Sequence, residues 1–541
     1  MLLPTPAAPE PSALRIDELL CAAAFPHAVS GISLRETHIS WVVLTGPFAY
    51  KIKKPVRLEF VDASTLARRR HYCDEEVRLN RRLAPNLYID VVPITRKDGQ
   101  LEVGGNGTAL EYAVKMRQFS ASEELLALLS GNNIDSALFD ALGELLATFH
   151  LNAAVWTDPD MSGKTPRTHE SVVTNAVELL ARLGPTESQS SVRRLVAWTR
   201  ERTRELETIF RQREQNGFIR EGHGDLHAAN IVRLEGRLIP FDCIDFDASL
   251  RWIDVMNDVA FLVMDLMSHQ RADLAITFLS HYLEVTGDYD GVRLLPFYAV
   301  YRALVRAKVD AATAELVPDR AMEFRDRLQH RVQAALTWTS PRESALILMH
   351  GVSGSGKSWL SARLVPQLAA VRIRSDLERK RLAGIPAAQT AAAPIRQGIY
   401  SPQFSHRTYN RLADCAETCL RAGLTVIVDA AFLDAAAREQ FRVLARRLAA
   451  QCVIVSCEAD PITLANRVLE RHGHNDPSDA RLPVLDAQLR EIGPFAREEQ
   501  PDVVAVDTTA PDALQHATRA IRARCRTVFP ADRTAGRIRP R

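Results

Sequence analysis

The segment HGDLHAAN, residues 223–230, sets Asp225 and Asn230 five positions apart, and the stretch RLIPFDCIDFD follows it with further carboxylates. Those types suit phosphoryl transfer. An attacking hydroxyl needs a carboxylate within hydrogen-bond reach, which Asp225 can supply, and magnesium ions bridging nucleotide phosphates take hard oxygen donors such as the Asn230 amide. Two acids compete for a further metal position: Asp242 ends a strand after a tight hairpin at Glu235 and Gly236, and Asp245 stands three residues on. The hairpin geometry favours Asp242, and both remain open. A second segment, Gly351, Val352, Ser353, Gly354, Ser355, Gly356, Lys357 and Ser358, reads G-x-x-x-x-G-K-S. Its glycines let backbone amides face phosphate oxygens, Lys357 can neutralise β/γ charge, Ser358 can hold magnesium, and the helix opening there adds its positive end.

These groups need elements to aim them. Residues 30–54 read as antiparallel strands, in which YKIKKP places Lys51 and Lys53 on one side and Lys54 on the other. A helix is expected over about 65–84, with Tyr72, Glu76, Leu79 and Leu83 on one face. Glu76, with Glu75 as fallback, is the acid an inward lysine would pair with; burying either charge alone costs several kcal/mol, so both or neither should be inside. Another strand pair ends in EYAVKMRQF, and the chain then turns largely helical. Around 336–343 the helical pattern breaks at Pro341, after which ALILMH, LTVIVDA and CVIVSC alternate with helices, the βαβ rhythm of a parallel sheet.

Composition narrows the partners. The 541 residues carry a net charge of +2, with 46% hydrophobic and 25% charged residues. That is an ordinary globular chain, without the basic field that nucleic-acid or membrane binding would need. The eight cysteines fit no metal or redox spacing, and most read as buried apolar groups. The stretch VAFLVMDLMSH is interrupted by Asp265 and is too short to span a bilayer, so it is expected as a buried helix. The proline-bearing start lacks the pattern of a secretory signal, and a cytoplasmic location is expected.

In order, YKIKKP, DEEVRLNRRL, EYAVKMRQF, LGELLATFH, HGDLHAANI, FDCIDFD and NDVAFL resemble the aminoglycoside phosphotransferase and choline kinase group of the protein-kinase-like fold, whose catalytic loop H-R-D-x-x-x-x-N shares the Asp-to-Asn spacing. The resemblance implies a bilobal ATP-dependent small-molecule kinase. Asp225 would be the base, Asn230 with Asp242 or Asp245 the magnesium ligands, Lys53 the phosphate lysine, Met116 to Gln118 the adenine hinge, and Asp258 the brace of the catalytic loop. One departure stands out: RETHIS occupies the first hairpin, where a glycine-rich loop would cover phosphates.

The second half resembles the P-loop small-molecule kinases, gluconate-kinase-like, polynucleotide-kinase-like and zeta-toxin-like proteins among them. In that setting Asp429, ending TVIVDA, would organise magnesium; Asp376 would act as base with Arg374 orienting the acceptor, or would cap the next helix; and Arg467 and Arg471 would close over the nucleotide as lid arginines. The whole is similar to bacterial two-domain proteins described as bifunctional aminoglycoside phosphotransferase and ATP-binding proteins.

The expected fold class is therefore an α+β bilobal protein-kinase-like, aminoglycoside-phosphotransferase-like domain, followed by an α/β P-loop NTPase domain with a parallel sheet. Expected boundaries are 1–29 for a loose leader, 30–335 for the first domain, 336–343 for a linker, 344–525 for the second and 526–541 for a basic tail. The expected function is transfer of the γ-phosphoryl group of ATP, with magnesium, to small-molecule hydroxyls at two sites. Two alternatives stand beside it: a first module that binds ATP only to gate the second, and a P-loop ATPase acting on a macromolecule.

Overall fold

The computed structural model describes residues 14–529 except 59–60, 132–133, 158–167, 184–186, 341, 387–388, 390–396 and 471–481. The chain forms two compact units, one of Met1–Ile134, Phe149–Val172 and Thr203–Leu262, the other of Asp135–Thr148, Val173–Arg202 and Val263–Arg541.

The first unit opens with short strands. β1 (Ser33–Glu36), β2 (Ser40–Leu44) and β3 (Phe48–Lys53) form a meander. A small hairpin, β4 (Arg57–Leu58) and β5 (Val61–Asp62), leads into helix α1 (Leu66–Asn80), and β6 (Tyr88–Lys97), β7 (Gln100–Val103) and β8 (Glu111–Arg117) follow. The sheet order is β1-β2-β3-β8-β6-β7, antiparallel throughout. Thr65 caps α1 by accepting the Arg68 amide, as a residue in that position should. The helix is anchored by a buried pair, Arg69 Nε donating to Glu111 Oε2 at 2.8 Å on β8. Residues 14–29, expected as part of a loose leader, are packed: Leu14, Leu19, Ala24 and Phe25 join Val43, Tyr50 and Ile52 in the sheet's core. Their apolar side chains cover a sheet face that would otherwise meet water.

Farther along the chain come helices α2 (Leu125–Ser130), α3 (Ala137–Asn152), α4 (Thr168–Arg182) and α5 (Glu187–Gln215). Strand β9 (Ile219–Glu221) precedes the HGDLHAAN segment; β10 (Ile231–Leu234) and β11 (Arg237–Pro240) form the hairpin after it; and β12 (Trp252–Asp254) pairs back with β9. Glu235 at φ 51° and Gly236 at φ 77° make the tight hairpin turn expected from sequence, both residues left-handed as that turn demands.

Helix α6 (Val255–Ser268) is the expected buried helix, and Asp265 within it lies 3.8 Å from Arg331. It is followed by α7 (Ala272–Thr286), α8 (Leu295–Leu316) and α9 (Ala321–Thr337). The second unit then builds a five-stranded parallel sheet in the order β14-β15-β13-β16-β17, from β13 (Ala345–His350), β14 (Ala370–Arg374), β15 (Thr425–Asp429), β16 (Gln451–Glu458) and β17 (Val503–Asp507). Its strands are near-continuous aliphatic runs because helices cover both faces. Those helices are α10 (Lys357–Leu368), α11 (Ser375–Leu382), α12 (Pro402–Arg421), α13 (Ala435–Arg447), α14 (Pro461–Glu470), α15 (Leu482–Glu491) and α16 (Ala513–Arg524). Val528 and Phe529, expected within a frayed tail, pack against this core. Pro341 and the tail beyond residue 529 lie outside the described residues.

Candidate active sites

In the first unit, Asp258 fixes the HGDLHAAN segment. Fully buried, it accepts the His223 amide at 2.6 Å and the Gly224 amide at 2.9 Å. Gly224 has φ 84°, and a Cβ there would stand 2.8 Å from the Leu250 carbonyl, so only glycine fits this turn. Burial lowers the pKa of His223 against the opposing carboxylates of Asp258 and Asp225, keeping the ring neutral. Its Nε2 lies 3.0 Å from the Phe241 carbonyl and its Nδ1 accepts the Asp225 amide at 3.3 Å, which fixes the proton on Nε2.

Asp225 is thereby held with its carboxylate about one-third exposed. Its Oδ2 accepts from Asn230 Nδ2 at 2.9 Å and lies 3.3 Å from His227 Nε2. Asn230 also donates to the Asp225 carbonyl at 3.0 Å. Both amide hydrogens of Asn230 are then spent on Asp225, so its Oδ1 is the atom a cation would take.

The lysines of β3 meet their acids as one cluster. Lys51 Nζ lies 2.8 Å from Glu76 and 2.5 Å from Asp242, whereas Lys53 pairs with Glu76 at 2.6 Å and with Asp245. Burial would raise Glu76, but the two ammoniums outweigh it and draw its pKa down to about 2. The two carboxylates left open by sequence differ in access: the Asp242 side chain is 42% exposed and that of Asp245 6%. Asp242 also sits at φ 63°, with its amide donating to the Tyr88 hydroxyl at 3.1 Å, a strained backbone of the kind that gathers at functional sites. Of the three acids, only Asp242 is open to a cation, and its carboxylate with the Asn230 Oδ1 would give magnesium the hard oxygen donors it takes, while Glu76 and Asp245 stay paired with the lysines.

Among the hinge residues, Met116 is buried and stands opposite Ala49 on β3. Gln118 is engaged by the β2–β3 turn, its Oε1 accepting the Gly46 amide at 2.8 Å and its own amide donating to Pro47. The β1–β2 connection, residues 37–39, is closed by Thr37 and Ser40 without a glycine. Glu75, the fallback acid, pairs instead with Arg78 and Arg251.

In the second unit the loop between β13 and α10 winds so tightly that its glycines have no substitutes. Gly351, Gly354 and Gly356 lie at φ 140°, 82° and 83°, and Cβ atoms on them would approach Ser355, the Leu464 carbonyl and Thr508 to 2.6, 2.5 and 2.9 Å. This is the cradle that amide binding of phosphate requires, and it fits a triphosphate. Lys357 Nζ donates to the Val352 carbonyl at 2.8 Å. Asp429, buried at the end of β15, accepts the Ser361 hydroxyl at 3.0 Å, one helical turn beyond Ser358.

Arg374 occupies the cap position of α11, and Asp376, half-buried, is the second residue of that helix rather than its cap. Arg467, expected as a lid arginine, stands beside the phosphate loop and lines the cavity there. It is fastened to the loop, donating to the Gly354 carbonyl at 3.3 Å and to Thr508 Oγ1 at 2.9 Å, because α14 packs directly beside the phosphate loop. Arg471 lies outside the described residues.

Two residues of this site carry no sequence signal. Thr508 supports the loop by donating to the Ser355 carbonyl at 2.9 Å, and Gln488 of α15 accepts the Ser353 amide at 2.7 Å. Both reach the loop from far along the chain, a relation that no local pattern encodes. Gly356, Trp359, Arg467, Thr508 and Pro511 line a cavity of about 590 Å³ beside the loop.

Among the described residues no cluster of histidine, cysteine and acidic groups is arranged to hold a metal by itself, and no helix is long and apolar enough to cross a membrane. The cysteines are unbridged; Cys21 is exposed, Cys452 half-buried and the remainder buried.

Comparison with known proteins agrees with this reading of two kinase-like parts. Residues 62–295 match the model of a phosphotransferase enzyme family, and residues 346–495 match that of an AAA domain. Proteins described as uncharacterized from Mycobacterium tuberculosis and Mycobacterium bovis are 32% identical over 463 residues, spanning 83% of this chain and 88% of theirs. Among solved structures, a gluconokinase from Sinorhizobium meliloti is similar over 35% of this chain and 99% of its own, at 22% identity and a TM-score of 0.26. A choline/ethanolamine kinase family protein from Mesorhizobium loti is similar over 60% of this chain and 95% of its own, at 12% identity and a TM-score of 0.37. With near full-length relatives and both domain models in sequence order, the chain belongs to the family of proteins that join an aminoglycoside-phosphotransferase-type kinase domain to a P-loop, kinase-like AAA domain.

Proposed function

We propose that this protein uses ATP at two separate sites, each transferring the γ-phosphoryl group to a hydroxyl of a small molecule. The observation that carries the reading is the pairing of two complete phosphate-handling constellations in one chain: Asp225 held by Asn230 and His227 beside the Lys51–Glu76–Asp242 cluster, and the glycine cradle that ends in Lys357 and Ser358. A magnesium ion, when bound, supplies positive charge between the phosphates. Asn230 Oδ1 and the accessible Asp242 would hold it at the first site, and the Ser358 hydroxyl, with Asp429 behind it, at the second.

At the first site Asp225 takes the proton of the acceptor hydroxyl, whose oxygen bonds to the γ-phosphorus while the bond to the β-γ bridging oxygen breaks and ADP leaves. The Asn230 and His227 contacts aim the Asp225 carboxylate before the acceptor arrives, so little orientation remains to be found at the moment of transfer. Lys51, rather than Lys53, takes the phosphate role in this reading. It lies two residues after Ala49, which faces Met116 across the sheet, and it bridges Glu76 to the open Asp242, whereas Lys53 is sealed against Asp245. At the second site the loop amides and Lys357 bind the triphosphate, Asp376 receives the acceptor proton and Arg374 orients the acceptor. The cavity beside Thr508 and Trp359 is of a size to take a nucleoside. A cytoplasmic setting, where ATP is available, completes the proposal.

Asp225→Asn and Lys357→Ala are expected to abolish two different activities when a metabolite extract is screened for products that gain phosphate from Mg·ATP. Loss of one and the same activity in both variants would show that the constellations act as a single site. A second reading draws on the missing glycine loop: Lys54 binds Glu36 and the Thr37 carbonyl at 2.5 Å each, stiffening the turn that would cover phosphates. In that reading the first module binds ATP without turnover and gates the second, and Asp225→Asn would leave every transfer product in place.

A further inference from the structure

The second site is held from outside the P-loop half of the sequence. Helix α7 packs along the edge strand β14, the strand that leads to Arg374 and Asp376. Ser280 Oγ, buried on α7, accepts the Arg372 amide at 2.9 Å. Glu284, one turn on and also buried, accepts Arg372 Nε at 2.7 Å and a terminal nitrogen of the same guanidinium at 3.0 Å, a two-point contact. The remaining arm of Arg372 donates to the carbonyl of Ser358 at 3.4 Å. Glu284 Oε2 is also 3.8 Å from Arg374, and its backbone carbonyl accepts from Arg381 of α11 at 2.8 Å.

One carboxylate thus gathers Arg372 and Arg374, and through Arg372 it reaches the residue that closes the phosphate loop. Without it, Arg372 and Arg374 would lose their nearest carboxylate at low exposure, a costly arrangement that a shift of β14 or of the arginines would relieve.

We infer that Glu284 is a positioning residue of the P-loop site, setting the place of Ser358 through Arg372 and that of Arg374 directly. The inference rests on the reading of that site as a magnesium-nucleotide site. Its consequence is a division of labour within the site. The glycine cradle and Lys357 hold triphosphate without the Glu284 carboxylate, whereas the step that uses the Ser358 hydroxyl, capture of magnesium with the nucleotide, depends on it.

The test uses the full-length protein and ATP as the probe, titrated by calorimetry once with magnesium and once with EDTA. The second-site component is the part of the binding lost in Lys357→Ala. Glu284→Gln keeps the side chain's shape and removes its charge. It is expected to lose about 10- to 100-fold of the magnesium-dependent gain in ATP affinity, the range found when a partner behind a metal ligand is removed. Affinity in EDTA should stay within about twofold of the parent protein, and Glu284→Asp, which keeps the charge, should recover part of the loss. Equal weakening with and without magnesium would mark Glu284 as merely structural and overturn the inference, as would an unchanged magnesium gain in Glu284→Gln. If Lys357→Ala removes no binding at all, the failure lies with the nucleotide reading of the second site instead.

Discussion

Lys51 and Lys53 carry the same charge two positions apart on one face of β3, yet their surroundings assign them different work. Lys53 is shut between Glu76 and Asp245, while Lys51 bridges Glu76 to a carboxylate that solvent and ligand can reach. Lys51→Ala is expected to weaken ATP binding at the first site while the fold persists. Lys53→Ala should act chiefly on stability, because it leaves Asp245 buried and unpaired, a change of about 3–5 kcal/mol. Thermal melts read alongside nucleotide titration separate the two; equal effects on binding would contradict the assignment. Asp225→Asn should cost roughly 10²- to 10⁴-fold in transfer rate, the usual share of a general base, with ATP affinity little changed. The same cluster sets an acid limit. Glu76 is drawn from its ordinary 4.5 to about 2, so its contribution to stability is complete above pH 4.5 and is lost as pH falls toward 2. Circular dichroism on acid titration should show the first unit weakening in that window, and Glu76→Gln should flatten this part of the pH dependence at the cost of lower stability near neutrality.

At the scale of elements, what was legible in the sequence followed from local chemistry. The spacing of Gly351, Gly354 and Gly356 announces a backbone that only glycine can follow, and each Cβ clash shows why. Gly354→Ala would put a methyl 2.5 Å from the Leu464 carbonyl and is expected to abolish second-site nucleotide binding, whereas Gly384→Ala has a similar φ of 67° and nothing within 4 Å. The latter should cost only the left-handed strain of roughly 1–2 kcal/mol and leave binding intact. The hairpin at Glu235 and Gly236 and the parallel sheet were equally readable, since each arises from residues close in sequence or from a regular alternation, and the Lys–Glu76 pairing followed from the cost of burying either charge alone. What stayed hidden came from long-range packing. Arg467 was expected over the nucleotide from a charged helix face beside a polar segment; its contacts with the Gly354 and Thr508 carbonyls follow from the approach of α14 to the loop, which that pattern does not show. The packing of Leu14 and Phe25, the support given by Thr508 and the reach of Glu284 depend on partners 20 to 150 residues away, which no window of the sequence contains.

At the scale of the whole molecule, the function we propose gives one chain two solutions to the same electrostatic problem. A triphosphate must be relieved of its charge before its terminal phosphorus will accept an oxygen, and fixed dipoles and cations accomplish this best where water is displaced. The first unit answers with side chains, lysines and carboxylates brought together from β3, α1 and the segment after β11. The second answers with backbone, amides exposed by glycines at the mouth of α10. Whether both constellations bind nucleotide is decided by calorimetric titration of the intact protein with a non-hydrolysable ATP analogue in magnesium buffer. Two equivalents are expected to bind per chain, falling to one in Lys357→Ala and to one in Lys51→Ala. A single equivalent in the unaltered protein, abolished by Lys357→Ala and indifferent to Lys51→Ala, would contradict the proposed function.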